Sequence, residues 1–274
     1  MSYPEVSVII PSYNMGEFVT NAIDSVIQCE LESVEIVVVD DGSSDGTKNI
    51  IKKHINNVNN GYKNRVKYIY QKNRGKQCAL NKGIRASEGK YFTILDADDE
   101  ITNNSLKSRI DRAKSCKSEI DCVIGGFEVI DEFGKVVGER RAPKKQETSR
   151  LKNKYFIHYK TPFHLCACLL NKSILEKIGM FDESIERVED IDYALRILDE
   201  TIKIETVDVN VYRYRKYRSS VAKRLKYRWS TLVNRPKVYW KNYEGVKAPI
   251  SVAVGLGYDT AKVLYETVIG NYRG

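Results

Sequence analysis

Four short apolar runs constrain this fold: Val6–Ile10, Glu35–Val39, Val66–Tyr70 and Tyr91–Leu95. Each has strand length, and helical spacing of apolar residues follows the first and third. Phe18, Val19, Ile23, Val26 and Ile27 mark the buried face after the first run, and Ala79, Leu80 and Ile84 the face after the third. Strands alternating with helices build an α/β domain around a mostly parallel, doubly wound sheet. Such sheets bind ligands beyond the carboxyl ends of their strands. The polar clusters fall there: Tyr13 and Asn14, Asp40 and Asp41, Arg74 and Lys76, and Asp96 to Asp99.

The last cluster is the most acidic. Asp96, Asp98 and Asp99 lie within four residues, and carboxylates that close repel one another. A hard divalent cation such as Mg²⁺ relieves the repulsion and takes oxygen ligands, commonly carboxylates and phosphate oxygens. A solvated acidic turn capping a helix that starts near Asn103 accounts for the same residues. No Gly-x-Gly-x-x-Gly follows the first strand, and there is no Walker-type loop. A bound phosphate would therefore be neutralised mainly by metal and basic side chains.

The second half is less regular. Asp121–Ile130 reads as one or two strands, Asp131–Gly134 as a turn and Arg140–Lys154 as a mobile polar loop. Cys166–Leu170 reads as a strand in which Cys166 and Cys168 are buried. A helix from about Lys172 to Ile178 stops at Gly179, and another over Val188–Arg196 turns Ile191, Ala194, Leu195 and Leu198 inward. Glu189 and Asp190 open that helix, where its dipole favours carboxylates whatever their function.

No run approaches the roughly 18 apolar residues of a membrane span. Glu5 precedes the first apolar run without a basic segment before it, so no signal peptide is expected. The six cysteines are scattered without a Cys-x-x-Cys pair, which points to reduced thiols in a cytoplasmic protein. The net charge of +9 is concentrated: from Val211 onward 14 Lys and Arg face three acids, against 31 and 33 before it. In this region Trp229, Tyr239, Trp240 and Tyr243 interleave with the cations. Residues 216–274 read as a basic, aromatic helical extension. It would pack on the main domain, dock on an anionic membrane surface at the inner face, or self-associate as a homo-oligomer. No nucleic-acid-binding signature accompanies the charge, so no nucleic acid partner is expected.

Six segments together resemble a family 2 glycosyltransferase of the GT-A nucleotide-diphospho-sugar transferase fold. They are VSVIIPSYN at Val6–Asn14, VVVDDGSSDGT at Val37–Thr47, NRGKQCALNKGI at Asn73–Ile84, ILDADD at Ile94–Asp99, LLNKSILEKIGMFDE at Leu169–Glu183 and EDIDYALRI at Glu189–Ile197. The resemblance implies a catalytic domain over residues 1–215, with a nucleotide-binding half to residue 100 and an acceptor half after it. It implies inverting transfer of a hexosyl or N-acetylhexosaminyl group from a nucleotide sugar, most often UDP-linked, with Mn²⁺ or Mg²⁺. The acceptor would be a glycan or lipid-linked hydroxyl in polysaccharide or glycolipid assembly. By the same resemblance Pro11, Tyr13, Asn14 and Asp41 lie on the nucleotide, and Arg74 or Lys76 approaches nucleotide or diphosphate. Asp96 meets ribose or metal, Asp98 is the surest metal ligand, and Asp99 binds metal or orients the site. Asp190 is the expected base, with Glu189 beside it. Many relatives carry a His after the last core strand, but here the stretch reads VYRYRKYRSSV, which leaves Arg215 or Tyr217 in that place, Arg215 as a diphosphate ligand. His54, His158 and His164 have no metal-ligand spacing, and structural roles are expected of His158 and His164. A non-catalytic nucleotide-sugar or glycan-binding module on the same fold is the alternative.

Overall fold

A computed structural model describes residues 3–57, 65–144, 163–185, 188–199 and 201–217, and near the C-terminus 234, 236–238, 240–242 and 257. In its first half, strand β1 (Val6–Ser12) lies between β2 (Val34–Asp41) and β4 (Tyr91–Ile94), and β3 (Val66–Gln71) flanks β2. All these pairings are parallel. Every residue of β1, β2 and β4 is buried. Covered on both faces, these strands take the continuous apolar runs seen in the sequence. The edge strand β3 is only partly buried.

Helices α1 (Gly16–Ile27), α2 (Thr47–Asn57) and α3 (Lys76–Ala86) connect these strands. Side-chain alternation divides the core between the two faces. Val8 and Ile10 join Ile23, Val26 and Ile51 on one side, while Ile9 joins Leu80 and Ile84 of α3 on the other. Gly83 allows α3 to lie flat on the sheet: a Cβ there would stand 2.5 Å from Ile9 Cγ2. His54 on α2 places Nε2 2.8 Å from Asp24 Oδ1 of α1.

The second half contributes β5 (Glu100–Ile101), α4 (Ser105–Ser115), β6 (Cys122–Ile130), β7 (Val136–Arg140), β8 (Cys168–Asn171), α5 (Ile174–Ile178), α6 (Glu189–Ile197) and β9 (Ile204–Arg215). The sheet runs β3-β2-β1-β4-β8-β6-β9-β5, with β7 paired to β6. β8 is antiparallel to both neighbours, and β6 is parallel to β9. The architecture is thus α/β with a parallel first half and a mixed second half. Asp121–Ile130 forms one strand, with register shifts beside Gly126.

Three local expectations change. Cys166 lies in the 3-10 turn Leu165–Ala167 rather than a strand. The loop expected from Arg140 starts later, because β7 runs through that residue; residues 145–162, which include His158, lie outside the described residues. The acidic cluster does not cap a helix, since β5 intervenes and Asn104 stands at the N-cap of α4. In the basic extension, residues 236–238 and 240–242 are helical. Val238 is buried there, while Trp240 is 65% exposed. Trp229, Tyr239 and Tyr243 lie outside the described residues. Among the described residues no helix is long and apolar enough to cross a membrane.

Candidate active site

Two adjoining cavities open where β1, β2 and β4 end, one of about 750 Å³ and one of about 450 Å³. Asn73, Gly75, Lys76 and Asp96 line both. Gly75 begins α3 at a φ of +95°, in the region that favours glycine, and so brings Lys76 to the junction.

Pro11, Tyr13, Asp41, Ala97 and Asp98 line the smaller cavity. The Tyr13 ring is 49% exposed and available for stacking. Asp41 also holds the local backbone: Oδ1 accepts from the Arg74 N–H at 2.9 Å and from Gln71 Nε2 at 2.8 Å, and Oδ2 from the Gly75 N–H at 2.9 Å. Asp40 is buried beneath, accepting from Tyr68 Oη at 2.6 Å. Asn14 lines neither cavity, contrary to expectation. At a φ of +52° it joins two turns, its Oδ1 accepting from the Ser44 N–H at 2.8 Å.

The acidic cluster divides between the cavities. Asp98 faces the smaller one, Asp99 the larger, and Asp96 both. Lys76 Nζ lies 2.6 Å from Asp96 Oδ1. Burial opposes the Lys76 charge, but Asp96 and then Glu189 outweigh it and hold the ammonium well above its ordinary range. Burial and the neighbouring Asp96 charge raise Asp98, and raise Asp99 to about 9. Among the described residues, ligand atoms of Asp96, Asp99 and Cys166 come within 4.8 Å of one another. Burial and Asp96 push the Cys166 thiol far up, so it stays protonated and the hard oxygens dominate. Crowded carboxylates, with burial and then the Asp96 charge opposing the ionisation of Asp98 and Asp99, are a donor set that fits a divalent cation.

Arg215 lines neither cavity. Its N–H donates to Asp99 Oδ1 at 2.8 Å, its Nε to the Asp98 carbonyl at 2.9 Å, and its Nη2 pairs with Glu100 Oε1. Buried and engaged in this way, it clamps the acidic loop to β9. The guanidinium expected at the diphosphate thus lies against the acidic loop, outside both cavities.

Glu189 and Asp190 line the larger cavity with Arg74, Glu183, His164, Tyr212 and Tyr214. Glu189 Oε2 is buried without a hydrogen-bond partner, and burial raises the pKa of both acids. Asp190 Oδ1 accepts from the Ile191 N–H at 2.9 Å. Arg74 Nη2 lies 3.3 Å from Glu183 Oε2 on the rim. His164 was expected to be structural; it stacks on Phe127 at 4.3 Å, pairs through Nδ1 with Tyr212 Oη, and lines the cavity as well. Burial, then Arg140, lower its pKa to about 4, so it is neutral near pH 7. Forty-eight residues separate His164 from Tyr212, and no local pattern connects them.

The family described as Glycosyl transferase family 2 matches residues 7–179, and the chain belongs to that family. The match ends before Glu189 and Asp190. An uncharacterized glycosyltransferase of Rickettsia prowazekii (strain Madrid E), RP339, is 32% identical over 189 residues, which is 69% of this chain and 57% of that protein. The chain spans from about a quarter to three-fifths of the length of the Rickettsia relatives it matches. The mannosyltransferase PcManGT from Pyrobaculum calidifontis, in complex with GDP-Man and Mn²⁺, superposes with a TM-score of 0.64 at 17% identity, covering 100% of this chain and 77% of that one. S. aureus TarS in complex with UDP-GlcNAc gives 0.60 at 17% identity, covering 96% and 73%. At such identity these two structures establish the GT-A glycosyltransferase fold alone.

Proposed function

We propose that this chain is an inverting, metal-dependent glycosyltransferase that moves a hexosyl or N-acetylhexosaminyl group from a UDP-sugar to a glycan or lipid-linked hydroxyl in polysaccharide or glycolipid assembly. The observation that carries the reading is the junction at Lys76 and Asp96, where a nucleotide-sized cavity meets a larger one bearing Glu189 and Asp190. The uridine lies in the smaller cavity against Tyr13, with Pro11 and Asp41 around it. The diphosphate lies at the junction, and the sugar extends into the larger cavity. TarS in complex with UDP-GlcNAc supports the uridine choice, and PcManGT with GDP-Man and Mn²⁺ supports the use of a cation.

Asp98 and Asp96 would hold Mn²⁺ or Mg²⁺, with Asp99 beside them. The bound cation supplies Lewis-acid stabilisation of the leaving diphosphate. Lys76 adds a positive charge at the same junction. Asp190 takes the proton from the acceptor hydroxyl, whose oxygen attacks the anomeric carbon opposite the diphosphate. Glu189 beside it helps keep that wall acidic. One displacement with one base inverts the anomeric configuration, and no covalent nucleophile is needed. The basic extension would bring the enzyme to an anionic membrane surface and a lipid-linked acceptor.

The test is transfer and hydrolysis across UDP-, GDP- and dTDP-sugars with Mn²⁺ or Mg²⁺. Metal-dependent turnover of a UDP-sugar, lost in Asp98→Ala and Asp190→Asn, is the expected result. Donor binding without turnover, persisting across lipid-linked and glycan acceptors, would favour the binding-module reading.

A further inference from the structure

We propose that Lys241 and Asn242 of the C-terminal extension are positioning residues for the acidic wall, bracing the two segments that carry Glu183 and the Glu189–Asp190 pair. The catalytic consequence rests on the glycosyl-transfer reading above; the brace itself rests on contacts. Lys241 Nζ lies 2.7 Å from Asp182 Oδ2 and 3.6 Å from Asp192 Oδ1. Asn242 Nδ2 donates to Asp192 Oδ1 at 2.9 Å, and Val238, one turn earlier, is completely buried. Asp182 immediately precedes Glu183, and Asp192 follows Asp190 by two residues on α6. One ammonium thus spans both segments.

The demand for this brace comes from Asp192. Its carboxylate is 1% exposed, and a buried carboxylate left without partners is costly. Arg196, one turn later on α6, gives Nε at 3.0 Å and Nη2 at 2.7 Å, both to Oδ2. Oδ1 is the atom that the extension engages. Arg196 Nη1 also donates to the carbonyls of Ile178 and Met180, tying α6 to the end of α5. Val188, at the N-cap of α6, has an apolar side chain that caps nothing. Lateral contacts such as these then help orient the first turn of the helix, where Glu189 and Asp190 sit. On the neighbouring loop, Lys241 and then Ser184 hold the Asp182 carboxyl well below its usual range, so that end of the brace is charged on both sides. Small displacements of a reacting group are expensive: about 1 Å costs on the order of a hundredfold in rate.

The experiment compares the wild-type chain with Lys241→Met, Asn242→Ala, the double variant and Lys241→Arg. Hydrogen exchange is followed over peptides covering 181–185 and 188–197, with β1 and β2 peptides as the folding control. The double variant should exchange about tenfold faster in those two segments and unchanged in the control peptides. With the donor sugar turned over by wild type, kcat should fall about tenfold while donor KM stays within about twofold, and Lys241→Arg should restore most of the rate. Unchanged exchange over 188–197 would overturn the brace. Faster exchange with unchanged kcat would reduce it to a tether for the extension and overturn the positioning role. If the double variant does not fold, the milder Asn242→Ala decides by the same readouts. If wild type turns over no nucleotide sugar, the function reading fails by itself, and the exchange data alone decide the brace.

Discussion

Lys76 Nζ and Asp96 Oδ1 stand 2.6 Å apart at the junction of the two cavities. This pair joins the smaller cavity to the acidic wall of the larger one, and Glu189 contributes to holding the lysine charged. On the proposed reading, Lys76→Met removes the fixed positive charge from where the diphosphate would lie. A hydrogen bond to a charged group is worth about 1.5–3 kcal/mol, so kcat/KM for the donor should fall roughly ten- to hundredfold. Steady-state kinetics on the variant checks this, with thermal unfolding as the control for fold.

Asp98 is half-buried and faces the smaller cavity beside Asp96. Asp98→Ala should lower Mn²⁺ affinity by at least about tenfold and abolish the metal-dependent part of donor turnover. Titration of Mn²⁺ by electron paramagnetic resonance reads the first effect independently of activity. Chelation of the cation from wild type should reproduce the second.

Asp190→Asn should leave nucleotide binding unchanged and lower kcat by about 10²–10⁴-fold, the usual contribution of a general base. Burial raises the Asp190 pKa, and the base works only when deprotonated. Transfer should therefore rise with pH along a limb lying above the ordinary Asp value of about 3.9, and the asparagine variant should lose that limb. A pH–rate profile of both proteins decides it.

His164 makes a separate prediction about stability. Its folded pKa is about 4, against the ordinary value of 6.5, because of burial and then Arg140. Between these values the unfolded chain binds the extra proton, so this contribution is complete above pH 6.5 and is lost as pH falls toward 4. It amounts to on the order of 3 kcal/mol. Urea unfolding of wild type should weaken across that window, and His164→Gln should flatten the slope.

Arg215→Met tests the clamp. Breaking a buried charge pair typically costs about 3–5 kcal/mol, and here the Asp98 carbonyl and Glu100 lose partners together. A fall in the urea midpoint is expected. Saturating donor, with the loop held by ligand, should recover most of the activity. A variant of wild-type stability that cannot bind donor would restore Arg215 as a diphosphate ligand.

The first half of the fold could be read from the amino-acid sequence because its physics is local. Strands buried on both faces must be continuously apolar, and the parallel arrangement brings their polar ends to one edge. Pro11, Tyr13, Asp41, Lys76 and Asp96 all reach the cavities for that reason. The dipole at the start of α6 placed Glu189 and Asp190 in its first turn, but could not by itself distinguish a capping effect from a catalytic role. The tertiary structure decided what depended on distant partners. Arg215 was drawn away from the site by Asp99 and Glu100, more than a hundred residues earlier. Asn14 was taken up by the Ser44 turn, and His164 reached the cavity wall through Tyr212. Asp192 on α6, already held through Oδ2 by Arg196, found partners for Oδ1 in Lys241 and Asn242. Apart from the exposed Asn14, each of these is a polar group whose burial had to be satisfied, and the packing of elements far apart in the chain set much of what satisfies it.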